Sequence, residues 1–176
     1  EEQEYHLDVG VLGGRVLFHV LTDFGYSDLA FSMITRPDYP SYGNWIARGA
    51  TTLLEVFQPE GSDRIGSLNH HFWGDISSWF TQALSGIRMA PHGEPNEVDF
   101  RPSFISRLTH AEAFHIAPAG RIASAWERDE DDVIVLTVEL PSTMHGVIRL
   151  ESGYVFEDGL AYKAAESGTY RIHSIE

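Results

Sequence analysis

The stretch Gly49–Phe80 reads GATTLLEVFQPEGSDRIGSLNHHFWGDISSWF and concentrates side chains that carry chemistry. Glu55 closes an apolar and hydroxyl run, and a loop rich in proline and glycine separates it from Asn69, His70 and His71. A carboxylate can act on water or on a glycosidic oxygen, imidazole and amide groups bind hydroxyls, and aromatic rings stack on sugar C–H surfaces. The stretch therefore predicts a carbohydrate-processing cleft.

Helices are predicted on both sides of this stretch. Residues 5–24 carry one apolar stripe at steps of three and four residues, which predicts a helix. Its members are Val9, Leu12, Val16, Leu17, Val20, Leu21 and Phe24. Ser27 is a candidate N-cap for a second helix and Asn44 for a short third one. Asp75–Ser85 predicts a fourth helix, with Asp75 as its cap.

The pattern changes after Met89 from helical periodicity to alternation. The turn-rich segment 91–96 acts as a linker, and short alternating segments follow at intervals of eight to twelve residues. Strands are predicted at 114–116, 122–127, 133–140, 147–150, 154–156 and 170–175. The acidic run Asp129–Asp132 is predicted as a solvated hairpin turn, since it lacks the glycine and distal glutamate of a calcium loop. This half of the chain predicts an antiparallel β-sandwich.

Composition narrows the choice of partner. The 176 residues carry a net charge of −14 without a lysine or arginine cluster, which argues against nucleic acid and anionic membranes as partners. An apolar run long enough to span a membrane is absent from the sequence, as is cysteine. A neutral carbohydrate is the simplest predicted ligand. His70 and His71 are neighbours, so their side chains are expected to diverge, and the sequence predicts no metal site.

Four segments, in order, resemble α-L-rhamnosidases of glycoside hydrolase family 78. They are 5–13 (YHLDVGVLG), 39–46 (YPSYGNWI), 49–55 (GATTLLE) and 67–87 (SLNHHFWGDISSWFTQALSGI). One departure is notable, because Leu54 stands where the family usually has Trp before the acid. That difference predicts a remodelled pocket wall.

The resemblance implies an α+β fold in two parts. Residues 1–90 would be the last helices of a catalytic (α/α)6 barrel, and residues 91–176 a C-terminal antiparallel β-sandwich. In the family the acid corresponding to Glu55 is the general base of an inverting hydrolysis that needs no cofactor. His70 would assist it or bind a sugar hydroxyl, and Asn69 would lie in the same subsite. The family's general acid lies upstream in a motif that residues 1–48 lack, so the chain alone is expected to be inactive.

Purely structural roles for individual residues also remain open. Trp45 suits either a sugar-stacking platform or ordinary packing in a tight loop. His70 could bridge loops, and His71, Trp73, Trp79 and Trp126 are predicted to be structural.

Two other functions also remain open. The chain could be a non-catalytic module whose sheet binds carbohydrate, or an interaction module that docks to another chain. Leu54 also leaves room for a related (α/α)6 glycosidase with another sugar specificity. A barrel fragment should expose apolar helix faces or self-associate through them, whereas a true module should be monomeric.

Overall fold

The computed structural model describes residues 5–63 and 66–175. It divides into two compact units, residues 1–79 and 80–176. Helices dominate the first unit and two sheets form the second, so the predicted α+β class is confirmed. The domain boundary predicted between residues 90 and 91 stays a prediction.

The first helix is shorter than predicted. α1 covers Val11–Asp23, because Gly10 has extended backbone angles (φ −75°, ψ 175°), and the chain turns at Gly25 with a positive φ of 82°. The helix buries Gly14 and Phe18. Its predicted apolar stripe instead lies largely at the surface, where Leu12 is 76 % and Val16 is 56 % exposed.

Three more helices follow in the described part of the first unit. They are α2 (Ser27–Thr35), α3 (Tyr42–Ala47) and α4 (Ile76–Trp79). The cap predicted at Asn44 is wrong, because Ser41 caps α3 by accepting the Asn44 N–H at 2.9 Å. Asp75 stands directly before α4, as predicted for a cap, and its carboxylate bonds His19 Nε2 at 3.0 Å.

An aromatic cluster forms the core of the first unit. The Tyr42 ring lies at its centre, with ring centroids of its neighbours at 5.4 to 6.5 Å. The cluster consists of Phe18, Tyr42, Trp45, Phe57, Trp73 and Trp79. The Trp79 indole N–H donates to Phe18 O and Thr22 Oγ1, so this buried donor is satisfied. The prediction that Trp73 and Trp79 are core residues is confirmed.

The second unit begins with a π-helical turn at Phe80–Leu84, where an α-helix was predicted to continue to Ser85. Nine strands follow: β1 (Ile87–Met89), β2 (Val98–Phe100), β3 (His110–Ala117), β4 (Gly120–Arg128), β5 (Ile134–Glu139), β6 (Val147–Arg149), β7 (Tyr154–Phe156), β8 (Tyr162–Ala164) and β9 (Gly168–Ser174). One sheet has the order β1-β2-β6-β8 and the other β3-β4-β5-β9-β7. Every pair is antiparallel except β2 with β6, which the sequence did not predict.

Side chains from both sheets share one core. Ile134, Leu136 and Val138 alternate inward along β5, as predicted. Trp126 is buried with them, and its indole N–H donates to Leu84 O at 2.7 Å. The hairpin turn at Asp129–Asp132 is also confirmed, since Asp129 Oδ1 accepts the N–H groups of Asp131 and Val133 at 3.0 Å.

Within residues 5–63 and 66–175, no helix has both the length and the apolar character that crossing a membrane requires.

Candidate active site

Glu55 lies on a short two-stranded contact between the segments 53–55 and 67–70. The Glu55 N–H donates to Ser67 O at 2.9 Å, and the His70 N–H donates to Leu53 O at 2.8 Å. Residue 55 is thus bonded to residue 67 and residue 53 to residue 70, so the two segments run antiparallel. This pairing places Glu55 and His70 on neighbouring stretches of backbone. The sequence placed both residues in one site, and the structure places them on adjacent segments.

The Glu55 carboxylate is fixed by one of its two oxygens. Oε2 accepts the Ser67 N–H at 2.8 Å, while the Glu55 carbonyl accepts the Trp73 indole N–H at 3.0 Å. The other oxygen, Oε1, has no hydrogen-bond partner among the described residues. A half-buried carboxylate held in this way can accept a hydrogen from a water through Oε1.

A hydrogen bond to the His70 ring determines which of its two nitrogens can donate. Its Nδ1 accepts the Phe72 N–H at 3.2 Å, and its ring lies edge-on to Phe72 at 3.8 Å between centroids. In the neutral ring the proton therefore sits on Nε2, which becomes a donor. Such a donor suits a sugar hydroxyl or a carboxylate.

Asn69 is exposed beside this imidazole. Ser67 Oγ holds its backbone from both sides, donating to Asn69 O at 3.0 Å and accepting the Asn69 N–H at 3.3 Å. Ser67 thus fixes both Glu55 and Asn69, a role that sequence reasoning missed. Gly66, the residue before it, allows this close approach, since a Cβ there would lie 3.3 Å from Glu55 Cβ.

Trp45 lies in the aromatic core. It is 3 % exposed, and its ring stacks on Phe57 at 4.2 Å with an interplanar angle of 17°. Phe57 in turn contacts Trp73, the residue that bonds the Glu55 carbonyl. The structure therefore connects Trp45 to Glu55 through two packed rings. The sequence did not single out Phe57.

His71 departs from the expected geometry. The two imidazoles do not diverge, because the rings of His70 and His71 lie parallel at 5.0 Å with an interplanar angle of 11°. Within the described ranges no group of three or more His, Cys, Asp or Glu side chains is arranged to hold a metal ion.

Two groups of the helical unit have strongly shifted pKa values. The Arg36 guanidinium, and then the His6 imidazole at 3.0 Å, hold the pKa of Asp38 well below its usual range. Burial raises the pKa of the Tyr42 hydroxyl, and the charge of Asp75 adds to the effect. Tyr42 therefore stays neutral and donates to Trp73 O at 3.1 Å.

Comparison with known protein families identifies the class of protein. Residues 1–84 match the bacterial α-L-rhamnosidase six-hairpin glycosidase domain, and residues 96–154 match the bacterial α-L-rhamnosidase C-terminal domain. The class is thus the end of a six-hairpin glycosidase domain followed by a C-terminal domain. The chain belongs to the bacterial α-L-rhamnosidase family, as the end of the six-hairpin domain plus the C-terminal domain.

Individual relatives agree with this assignment. The α-L-rhamnosidase of Streptomyces avermitilis is 28 % identical over 98 % of this chain, and that of Alteromonas sp. (strain LOR) is 29 % identical over 99 %. The chain spans 18 % and 20 % of those proteins, about a fifth of their length.

Solved structures show the same similarity. The α-L-rhamnosidase from Dictyoglumus thermophilum superposes with a TM-score of 0.81 at 27 % identity, over 97 % of this chain and 21 % of that one. The S. avermitilis enzyme complexed with L-rhamnose has a TM-score of 0.81 at 26 % identity, over 97 % of this chain and 18 % of that one.

Proposed function

We propose that this chain is the C-terminal part of an inverting glycoside hydrolase that removes terminal α-L-rhamnose, with Glu55 as the general base. The proposal rests on the difference between the two oxygens of the Glu55 carboxylate. Its Oε2 is held by the Ser67 N–H, and its Oε1, which has no partner among the described residues, would accept a hydrogen from the attacking water. The ordered backbone around it fixes the direction of that oxygen, as general-base catalysis requires.

His70 and Asn69 would bind the sugar. The donor nitrogen of His70 and the exposed amide of Asn69 lie on the segment paired with that of Glu55. Both offer hydrogen bonds to ring hydroxyls, which orient the anomeric carbon toward the water. A relative crystallised with L-rhamnose supports that sugar as the ligand.

The general acid would come from outside this chain. An inverting enzyme needs a second carboxyl at about 6.5–9.5 Å from the base to protonate the leaving oxygen. The chain spans about a fifth of its relatives, and the exposed stripe on α1 offers a surface for further helices of the barrel. We therefore expect the chain alone to release no measurable rhamnose from an aryl α-L-rhamnoside. Turnover that Glu55→Gln abolishes would contradict this expectation.

The test of the base uses the protein extended upstream in its native reading frame. Glu55→Gln should lower kcat by about 10²–10⁴-fold, since that is the usual contribution of a positioned acid or base. Glu60→Gln, in the exposed loop after Pro59, is the matched control and should leave kcat unchanged. The first sugar released should be β-L-rhamnose by NMR, and α-L-rhamnose would contradict inversion.

A second candidate function has one observation in its favour. The outer face of the five-stranded sheet carries a concavity of about 550 Å³ beside Phe114, which is 61 % exposed. Ala123 and Ala125 line it, while the Arg121 guanidinium lies 5.1 Å from the Phe114 ring centroid. A non-catalytic carbohydrate-binding role for the sheet predicts that Phe114→Ala reduces retention on an immobilised rhamnose glycan, and unchanged retention would exclude it.

A further inference from the structure

The direction of the Glu55 carboxylate depends on the backbone of Glu55 as well as on its side chain. The Glu55 N–H donates to Ser67 O at 2.9 Å, and the Glu55 carbonyl accepts the indole N–H of Trp73 at 3.0 Å. These two bonds hold the peptide groups on both sides of the Glu55 Cα, and with them the direction of its Cα–Cβ bond. The Ser67 N–H then holds the far end of the side chain at Oε2. Of these three bonds, the one from Trp73 is donated by a side chain, so a substitution can remove it.

Trp73 is held firmly where it makes this bond. Its ring packs on Phe57 at 4.6 Å between centroids, and its carbonyl accepts the Tyr42 hydroxyl at 3.1 Å. Gly14 of α1 lies directly against the ring, since a Cβ there would be 2.5 Å from it. Trp73 is 7 % exposed, and a ring packed this closely has little freedom to turn. The aromatic cluster therefore sets the direction from which the indole N–H meets the Glu55 carbonyl.

Tyr42 joins Trp73 to the rest of the cluster. Its ring meets the rings of Phe57 and Trp73 edge-on, with centroids 5.5 and 6.5 Å away. Its hydroxyl bond to Trp73 O is buried, so it is shielded from competition by water. Two consecutive hydrogen bonds, from Tyr42 to Trp73 and from Trp73 to Glu55, therefore lead from the core to the candidate base.

Trp79 belongs to the same cluster but bonds elsewhere. It is fully buried, and its indole N–H donates to Phe18 O at 3.1 Å and to Thr22 Oγ1 at 2.9 Å. Both acceptors lie on α1, away in sequence from the segments 53–55 and 67–70. Trp73 and Trp79 thus share a packing role and differ in the backbone that their indoles hold.

We propose that Trp73 is a positioning residue for the general base, which it orients through the backbone carbonyl of Glu55, and that Tyr42 supports it through the carbonyl of Trp73. The proposal rests on the proposed function, since it takes Glu55 as the base. Trp73 contacts neither the water nor the sugar in this scheme. Its role goes beyond the structural one that the sequence predicted.

The test uses the protein extended upstream in its native reading frame, with an aryl α-L-rhamnoside as substrate. Trp73→Phe keeps an aromatic ring in the cluster and removes the donor to Glu55. We expect kcat to fall by about 10- to 100-fold, because a misplacement of about 1 Å at a reacting group can cost about 10²-fold. KM should stay near that of the parent, since the lost bond does not involve the substrate.

Trp79→Phe is the matched control. It removes an indole donor from the same cluster, so the urea midpoint should fall in both variants. The kcat of the folded protein should fall in Trp73→Phe and stay near the parent's in Trp79→Phe. An equal loss of kcat in the two variants would mean that Trp73 acts through packing in general, and would overturn the proposal.

A double-mutant cycle with Glu55→Ala asks whether Trp73 acts through the carboxylate. Without that side chain there is no carboxylate to orient, so Trp73→Phe should leave the residual kcat of Glu55→Ala unchanged. Additive losses would overturn the proposal. Tyr42→Phe, which keeps its ring, takes the place of Trp73→Phe in the cycle if that variant does not fold. It should give a smaller loss of kcat that likewise disappears in Glu55→Ala.

Failure of the proposed function gives a different result. Glu55→Ala would then retain the kcat of the parent, and the positioning role would fall with the base. If Glu55→Ala loses activity while Trp73→Phe keeps it, Glu55 stands as the base and the role of Trp73 is overturned.

Discussion

Glu55 owes its position to residues that carry no catalytic chemistry of their own. Ser67 holds its amide and one carboxylate oxygen, and the Trp73 indole holds its carbonyl. The sequence could single out Glu55, Asn69 and His70, because carboxylate, amide and imidazole side chains are the groups that bind or act on sugars. It could not single out Ser67, because the backbone of any residue can make the contacts that Ser67 makes to Glu55.

Asp38 links the start of the described chain to the end of α2. Its pKa lies well below the usual 3.8 because of Arg36 first and His6 second. A carboxyl with a lower pKa in the folded than in the unfolded chain adds stability above its unfolded pKa and loses it as pH falls through the folded pKa. We expect Asp38→Asn to lower the urea midpoint at about pH 7, and the difference from the parent to shrink steadily below about pH 3.8. A difference that stays constant down to about pH 2 would contradict the assignment.

Gly14 allows helix α1 to pack closely against the Trp73 ring. A Cβ at this position would lie 2.5 Å from the Trp73 ring, which also anchors Glu55. Alanine normally favours a helix interior over glycine by about 1 kcal/mol, whereas overpacking typically costs about 1–3 kcal/mol. The net expectation is that Gly14→Ala destabilises the chain by up to about 2 kcal/mol in chemical denaturation. Arg15→Ala, at the neighbouring exposed position, is the control and should change little.

At the scale of elements, the alternating strands β4 and β5 and the short strands β6 and β7 were predicted, whereas the short strands β1 and β8 were not. β4 and β5 alternate over six to nine residues, which gives a clear period of two. β1 (IRM) and β8 (YKA) each contain one β-branched or aromatic residue, whereas β6 (VIR) and β7 (YVF) contain two or three and so carry a stronger strand preference. The π-helical turn at Phe80–Leu84 was not predicted for another reason. A single wider turn leaves the spacing of the apolar residues nearly the same as in an α-helix.

The inward face of β5 should dominate the stability of the sheet unit. Leu136 is fully buried, while Val135, its neighbour in the strand, points to the other face and is only partly buried. Leu136→Ala should cost about 2–5 kcal/mol, because it removes apolar contacts and leaves a cavity. Val135→Ala should cost under about 1.5 kcal/mol. Equal losses in the two variants, measured by chemical denaturation, would mean that the assigned faces of β5 are wrong.

At the scale of the whole molecule, sequence and structure agree on a helical unit that does not cover its own apolar surface. The spacing predicted the stripe on α1. Its exposure was expected only from the resemblance to the end of a barrel, since a periodic pattern does not say which surface covers it. Phe24 is as exposed as Leu12, at 76 %, and Val20 is 49 % exposed. Contiguous apolar surface of this kind marks an interaction face.

The α1 stripe predicts self-association of the chain when nothing else covers it. We expect the parent to form concentration-dependent oligomers in sedimentation equilibrium, and the double variant Leu12→Gln/Val16→Gln to be monomeric over the same range. Glutamine is a good helix former, so α1 itself should persist in circular dichroism. Leu160→Gln, an apolar residue 52 % exposed in the sheet unit, is the matched control and should associate like the parent. A monomeric parent would show that the stripe is tolerated in water and would remove the surface argument for missing barrel helices.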